Sequence, residues 1–318
     1  MKINIGIVGY GNLGKAIEKS VLTNQNFNLV AIFSRRLIKS EFGTKIEPYD
    51  EILTYKNKIS IMILCGNSKS DIEEHSTKLI EYFDIINSFD EHKKIESYYK
   101  NLNLLAKKNN HRAIICCGWD PGLFSVIRTL FLAISNEKPI TVWGKGISMG
   151  HSAVIRTVPY VDDGISITVP NDIAIKNIRN NKYNNEPLHK RICYVAAETN
   201  RQKYIEKKIK NIQNYFKNQP TTVNFVSNLT VMKLKQNMSH RGRVFSCFKT
   251  KNQTVAKMEF SATMKSNPDF TAEIIIAYIM AVINLKNNKC CGAFLPIDIP
   301  AAYLFSEKER AKLLKHIC

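Results

Sequence analysis

Ile3-Asn4-Ile5-Gly6-Ile7-Val8, followed by Gly9-Tyr10-Gly11-Asn12-Leu13-Gly14, is the stretch whose reading decides the fold. Its first six residues form an apolar, β-branched run, and Lys15 to Leu22 after the glycines suits a helix. A second apolar run, Leu29-Val30-Ala31-Ile32-Phe33, ends in Ser34-Arg35-Arg36. The stretch from Lys2 to Arg36 therefore has the length of a strand–helix–strand unit. G-x-G-x-x-G says little alone, but between a strand and a helix it marks a dinucleotide site. Gly9 suits the tight turn, Gly11 lets backbone approach a pyrophosphate, and Gly14 lets helix pack on strand. The helix offers unpaired N–H groups and a positive dipole end to the phosphates.

The end of the second strand says which dinucleotide. An NAD site places Asp or Glu there, about 20 residues past the glycines, to accept from the ribose 2′-hydroxyl. Ser34, Arg35 and Arg36 stand at that point instead, with no carboxylate in the local sequence. Guanidinium forks match a phosphate through paired hydrogen bonds and keep their charge. The expected cofactor is NADP, with its 2′-phosphate on the arginines. The plainer reading is a solvated arginine pair on a basic chain.

The 318 residues suit two domains with a core each or one elaborated domain, and 44% hydrophobic with 23% charged residues is ordinary for a soluble globular chain. No secretory signal is legible, and the most apolar late run, Ile274 to Ile283, is too short to span a bilayer, so no membrane role is expected. The eight cysteines show no zinc-ligand spacing and read as reduced thiols in a cytoplasmic protein. The seven histidines form no H-x-x-x-H pair, so no metal is expected. The net charge of +19 comes from lysines scattered among Asn and Ile, as between Asn177 and Asn185. Without a basic stripe interleaved with aromatics, nucleic acid is not an expected partner.

Beyond the first unit, Ser40 to Tyr55 reads as a connecting loop and Ile59 to Leu64 as a buried strand. Cys65-Gly66-Asn67-Ser68 follows it and joins the expected cofactor-binding set. Asp71 to Phe83 is helical, Ile85 to Phe89 a strand, Glu91 to Asn109 a helix, and Ala113 to Cys117 a strand. Asp90 and Asp120 then stand at two strand ends, where open α/β sheets bind ligands. Past Gly122 a helix from Leu123 to Ile134 leads to strand-like runs at 141–143, 165–169, 192–196, 223–229, 244–248 and 255–262. These predict an antiparallel sheet crossed by a helix from Tyr204 to Phe216. Asn267-Pro268 reads as a break before a helix from Phe270 to Leu285, and a short basic helix spans Glu307 to Lys315.

Several later stretches concentrate polar residues in apolar surroundings: Trp143 to Ser152, Thr168-Val169-Pro170, His189-Lys190-Arg191, Met238-Ser239-His240 and Ser266 to Phe270. With the glycine motif, Phe33-Ser34-Arg35-Arg36 and Gly118-Trp119-Asp120-Pro121-Gly122, they make the chain resemble the meso-diaminopimelate dehydrogenases. The likeness covers nearly the whole chain. It implies reversible, NADP-dependent oxidative deamination of the D-centre of meso-2,6-diaminopimelate to L-2-amino-6-oxopimelate and ammonia, in lysine biosynthesis. By the same likeness Asp90 and Asp120 lie near the reacting centre and are the catalytic candidates. Trp143 matches the pocket wall, and Ser148, Met149 and Gly150 the pocket around it. Thr168, Arg191, His240 and Asn267 match the positions that hold the distal L-amino acid end. An aspartate, a histidine or relayed solvent could each serve as the general base.

The expected architecture is α/β. A Rossmann-type dinucleotide-binding domain spans 1–118, with 268–318 returning to it. An α+β region, 119–267, carries a mixed or antiparallel sheet that binds substrate, closes over it and supports a homodimer by family likeness. The chain departs from the family at Met149 (a glutamine there), Ala153 (an aspartate), Asn67 (a glycine-like position) and Arg241 (a glycine). A missing polar partner weakens discrimination between analogues, so a broader D-amino acid dehydrogenase is one alternative. A catalytically silent NADP-binding protein is the other.

Overall fold

The computed structural model describes residues 2–237 and 239–316. It divides into two compact units, one of residues 1–126 with 268–318 and the other of residues 127–267. The chain leaves the first unit within a helix and returns at the start of another.

The first unit opens with β1 (Ile3–Val8), α1 (Asn12–Thr23), β2 (Phe27–Ser34) and β3 (Ile46–Pro48). The expected loop before Tyr55 thus holds a third edge strand and a 3-10 turn. Next come β4 (Ile61–Leu64), α2 (Ile72–Leu79), β5 (Asp84–Asn87), α3 (Ile95–Lys108), β6 (Arg112–Ile114) and the departing helix α4 (Leu123–Ser135).

The second unit holds β7 (Ile140–Trp143), β8 (Gly146–Ile147), α5 (Met149–Ile155), β9 (Val161–Pro170), α6 (Asp172–Arg179), β10 (His189–Ala197), α7 (Gln202–Lys210), β11 (Thr221–Phe225), α8 (Asn228–Asn237), β12 (His240–Lys249) and β13 (Val255–Met264). The chain ends with α9 (Asn267–Asn287), β14 (Gly292–Phe294) and α10 (Glu307–His316).

In the first unit seven strands form one sheet in the order β14-β6-β5-β4-β1-β2-β3, every neighbouring pair parallel. Continuous apolar runs are what a sheet covered on both faces requires, since alternate residues face opposite layers. Ile61 and Ile63 of β4 pack with α1 and α9, while Met62 and Leu64 pack with α2 and α3. Glu18 is fully buried in α1, accepting from Tyr10 Oη at 2.5 Å and from the Ser40 hydroxyl, which ties the 40s loop to the helix.

α9 starts at Asn267, so Asn267-Pro268 is its beginning and not a break. Proline fits a first turn because its missing N–H would have no helical partner there. With 21 residues α9 is long and apolar enough to cross a membrane by length and composition. The apolar run reads short only because the helix extends past both its ends. In this fold its Ile275, Ile279, Ala281 and Val282 are fully buried against the sheet.

The mixed or antiparallel pairing expected of the second unit is present, divided between two sheets. β11-β10-β9-β8 is mixed, with β10 and β11 parallel, and β13-β12-β7 is antiparallel. The expected strand at 223–229 stops at Phe225, and α8 begins three residues later. The helix expected to reach Phe216 ends at Lys210. In α6, Ala174, Ile175 and Ile178 are buried while Ile173 is exposed and Asp172, Lys176, Asn177 and Arg179 fill the other positions, which masks its apolar stripe in the sequence.

Ile275→Ala removes a fully buried side chain from α9. We expect it to cost about 2–5 kcal/mol. Urea unfolding should show a lowered midpoint at unchanged slope, and an unshifted midpoint would contradict the packing described.

Candidate active site

β1 runs into a turn at Gly9, whose φ of +93° is strained for any residue with a side chain. A Cβ on Gly14 would stand 2.2 Å from the Gly9 carbonyl oxygen, so only glycine allows this approach of helix to turn. Gly11 has no neighbour within 4 Å of where a Cβ would sit, and it caps α1 with no side-chain bond. The first N–H groups of α1 therefore open onto free space, as a bound pyrophosphate requires.

A cavity of about 260 Å³ lies at this place, where the strand order switches direction between β1 and β4. The predicted residues Gly9, Tyr10, Gly11, Ser34, Arg35, Arg36, Cys65, Gly66 and Asn67 line it. Asn12, Leu13 and Gly14 form the first turn of α1 beside it, and Ser68 Oγ accepts from the Asp90 N–H at 3.2 Å. Arg36 donates from Nη2 to the Tyr10 carbonyl at 3.3 Å and from its N–H to Ser34 Oγ at 3.0 Å. Both guanidiniums and the uncapped helix end suit a phosphorylated dinucleotide.

The crevice also holds a carboxylate. The sequence offers no carboxylate at the end of β2, but the fold brings one from the turn before α2. Asp71 lines the same cavity and pairs with Arg35 Nη2 at 2.8 Å. Its other oxygen accepts the Asn67 N–H at 3.0 Å, and that bond, joined by Arg35, holds the carboxyl below its ordinary range against the opposing effect of burial. Asp71 lies too far along the chain for the strand-end rule to find.

Asp90 and Asp120 stand on adjacent ribbons of the sheet. The Cys117 N–H bonds the Asn87 carbonyl at 2.8 Å, extending the β5–β6 pairing, and each aspartate follows three residues after one of these partners. Asn87 is buried and donates to Tyr98 Oη at 2.8 Å while accepting from the Phe89 N–H at 3.1 Å, which fixes the turn leading to Asp90. Asp90 is exposed and Asp120 half-buried, both at the carboxyl edge of the sheet.

In the second unit most of the expected substrate residues converge. Thr168 of β9 faces Arg191 of β10, and Gly146 of β8 faces Thr168 from the other side. A Cβ on Gly146 would meet the Ser239 carbonyl oxygen at 2.6 Å, so the start of β12, with His240, abuts β8. Met238 lies outside the described residues. Gly242 pairs with Trp143, and His240 pairs with Met264, three residues before Asn267. Arg241 alternates with His240 along β12, so the two side chains take opposite faces of the sheet.

Arg191 is buried. It bonds the Thr168 hydroxyl, and its Nε donates to Gln219 Oε1 at 2.7 Å. Among the described residues no carboxylate pairs with it. Burial pushes its pKa down, the mark of a cation set up for an anionic partner. Ser148 and His151 bond at 2.8 Å between Oγ and Nδ1, and His151 Nε2 lies 3.0 Å from the Tyr215 carbonyl oxygen. A carbonyl only accepts, so Nε2 carries the proton and Nδ1 accepts from Ser148. His189 Nε2 accepts the Trp143 N–H at 2.7 Å. Burial, reinforced by nearby Arg191, lowers both imidazoles to about 4. Met149 is 62% exposed at the start of α5, and Gly150 beside it is also exposed. His189 and Gln219 were not singled out as site residues, because their work is to hold Trp143 and Arg191 across strands.

A switch-point crevice of this kind, joined to a separate sheet-built unit, defines a Rossmann-class oxidoreductase. The family pattern for the diaminopimelic acid dehydrogenase C-terminal domain matches residues 118–266. The meso-diaminopimelate D-dehydrogenase of Ureibacillus thermosphaericus is 37% identical over 99% of both chains. Among solved structures, C. glutamicum DAP dehydrogenase in complex with DAP is 29% identical with a TM-score of 0.91, covering 100% of this chain and 99% of that one. An engineered D-amino acid dehydrogenase bound to NADP+ is 28% identical with a TM-score of 0.85 over 100% of both chains. The chain belongs to the meso-diaminopimelate dehydrogenase family.

Two outcomes are expected from this geometry. Gly14→Ala should abolish measurable dinucleotide binding in calorimetry, because helix and turn must separate to admit the methyl group. Retained affinity would contradict the close approach. His151 and His189 stay neutral in the fold down to about pH 4, whereas unfolded imidazoles protonate near 6.5. Their contribution is intact above about 6.5 and is lost as pH falls toward 4, roughly 1 kcal/mol each after allowance for solvent screening. His189→Gln, which retains an acceptor for Trp143, should make the fall in melting temperature between pH 6.5 and 4 shallower than in the parent.

Proposed function

We propose that the chain is an NADP-dependent meso-diaminopimelate D-dehydrogenase of lysine biosynthesis. It oxidatively and reversibly deaminates the D-centre of meso-2,6-diaminopimelate to L-2-amino-6-oxopimelate and ammonia. Family membership supports the reaction, and one structural observation carries the substrate class: the buried Arg191 guanidinium with no carboxylate partner among the described residues. A buried cation without an anion is costly, and a substrate carboxylate would relieve that cost through two parallel bonds.

In this reading Arg191 and Thr168 hold the distal carboxylate, with His240 and Asn267 completing that end. Ser148 donates its hydrogen bond to His151 and so keeps lone pairs to accept from a substrate ammonium. Trp143, anchored by His189, forms a wall, with Met149 and Gly150 beside it. Asp90 and Asp120 attract and orient the ammonium at the reacting carbon. That carbon gives up a hydride and its nitrogen a proton; water then adds to the resulting C=N bond and ammonia leaves. NADP+, when bound, supplies the hydride acceptor, with Gly9 to Gly14 under its phosphates, Cys65 to Ser68 alongside, and Ser34, Arg35 and Arg36 at its 2′-phosphate. The first unit supplies the dinucleotide crevice and the two aspartates, and the second the remaining substrate residues. A cytoplasmic homodimer completes the reading, supported by family membership and by free cysteines consistent with a reducing compartment.

Arg191→Met should raise the KM for meso-diaminopimelate at least about a hundredfold, the loss of a charge-assisted pair, while the Kd for NADP+ stays within about twofold. Unchanged KM would overturn the assignment. Met149, an exposed thioether without a strong hydrogen-bonding group, favours a second reading with wider substrate range. Turnover of meso-diaminopimelate beside D-lysine and D-alanine separates the two, since a preference of several orders for the first removes the wider one.

A further inference from the structure

The crevice that receives the adenosine ribose holds groups of both signs. Arg35 and Arg36 suit a 2′-phosphate, yet Asp71 stands on the same wall with its carboxylate on Arg35. We propose that Asp71 is a specificity-determining residue that restrains the preference for NADP over NAD, by occupying an Arg35 donor and by opposing the charge of a 2′-phosphate. The proposal rests on the NADP reading above.

The position of Asp71 is set by the turn that carries it. Its N–H bonds the Asn67 carbonyl at 2.8 Å, and its Oδ2 accepts the Asn67 N–H at 3.0 Å. A Cβ on Gly66 would come within 2.7 Å of the Asp71 Cβ, so the turn closes tightly around this residue. Its side chain is only 15% exposed, while that of Arg35 is 62% exposed. The mobile partner of the pair is thus the arginine, and the fixed one is the carboxylate. The carboxyl is held below its ordinary range, so it is charged throughout the working range of pH.

Two consequences follow for a ligand. A 2′-phosphate must draw Arg35 against the pull of Asp71 and must tolerate a negative charge on the same wall. A 2′-hydroxyl meets no such penalty, because a carboxylate is the group that accepts from it in NAD sites. Removing the charge of Asp71 therefore favours the phosphorylated cofactor by both routes and leaves the other with a weaker, neutral acceptor. Arg36, bonded to the Tyr10 carbonyl and to Ser34, keeps its place in either case.

The test is calorimetric binding of NADP+ and NAD+ to the full-length parent, to Asp71→Asn and to Asp71→Ser, both of which keep an acceptor oxygen while losing the charge. Adenosine 2′,5′-bisphosphate and 5′-AMP serve as fragments that differ only in the 2′-phosphate. Both variants should bind NADP+ and the bisphosphate about three- to tenfold tighter at low salt, the scale of one nearby screened charge. They should bind NAD+ and 5′-AMP equally or more weakly, and the gain should shrink in high salt. Equal weakening of all four ligands would mean that Asp71 only shapes the turn, and selective loss of NADP+ would mean that it orients Arg35 for the phosphate. Either result overturns the proposal. A parent that binds NAD+ as tightly as NADP+, with Arg35→Ala without effect, would instead remove the NADP reading itself.

Discussion

The approach of Gly14 to the carbonyl oxygen of Gly9 is the constraint on which the first unit depends. Helix α1 can lie against the turn only because Gly14 carries no side chain that would intervene. That contact aims the free N–H groups of α1 into the crevice and places Tyr10 where its hydroxyl reaches buried Glu18 and the Glu41 backbone. The loop after the arginine pair is thereby tied to the phosphate turn. Ser34, Arg35 and Arg36 enter the crevice because β2 lies directly beside β1 and ends level with Gly9.

Charge is handled differently in the two units. Around the crevice, cations are exposed and partly countered, Arg35 by Asp71 and Lys15 by Glu41. Such pairs are worth little to stability. In the second unit a single guanidinium is buried among neutral imidazoles, a hydroxyl and an amide. That arrangement is poor for stability and good for seizing an anion. Most of the excess positive charge elsewhere sits on exposed lysines, as in α7, and belongs to neither site.

Much of the first unit was legible because each of its elements carries a local signature. Glycines at fixed spacing, continuous apolar strands and helices with clear polar faces all act over a few residues. Legibility fell in the second unit, where α5, α6 and α8 went unread. The helix α5 begins Met149-Gly150-His151, residues with little helical character, and α6 hides its buried isoleucines among Asn and Lys. The parallel pairing of β10 with β11 was beyond local pattern too, since alternation gives the face of a strand but not the direction of its neighbour.

For the site the divide runs along the same line. The sequence by itself determined the dinucleotide fold, the arginine pair at the end of β2, the aspartates at two strand ends and the polar stretches of the second unit. These depend on residue type and short spacing, which set backbone freedom, hydrogen-bonding capacity and charge. Only the tertiary structure decided that Asp71 confronts Arg35, that His189 anchors Trp143, that Gln219 and Thr168 hold Arg191, and that Arg241 turns away from His240. Those relations join residues distant along the chain through strand pairing and turn closure, and it is packing of the whole unit that brings such partners together.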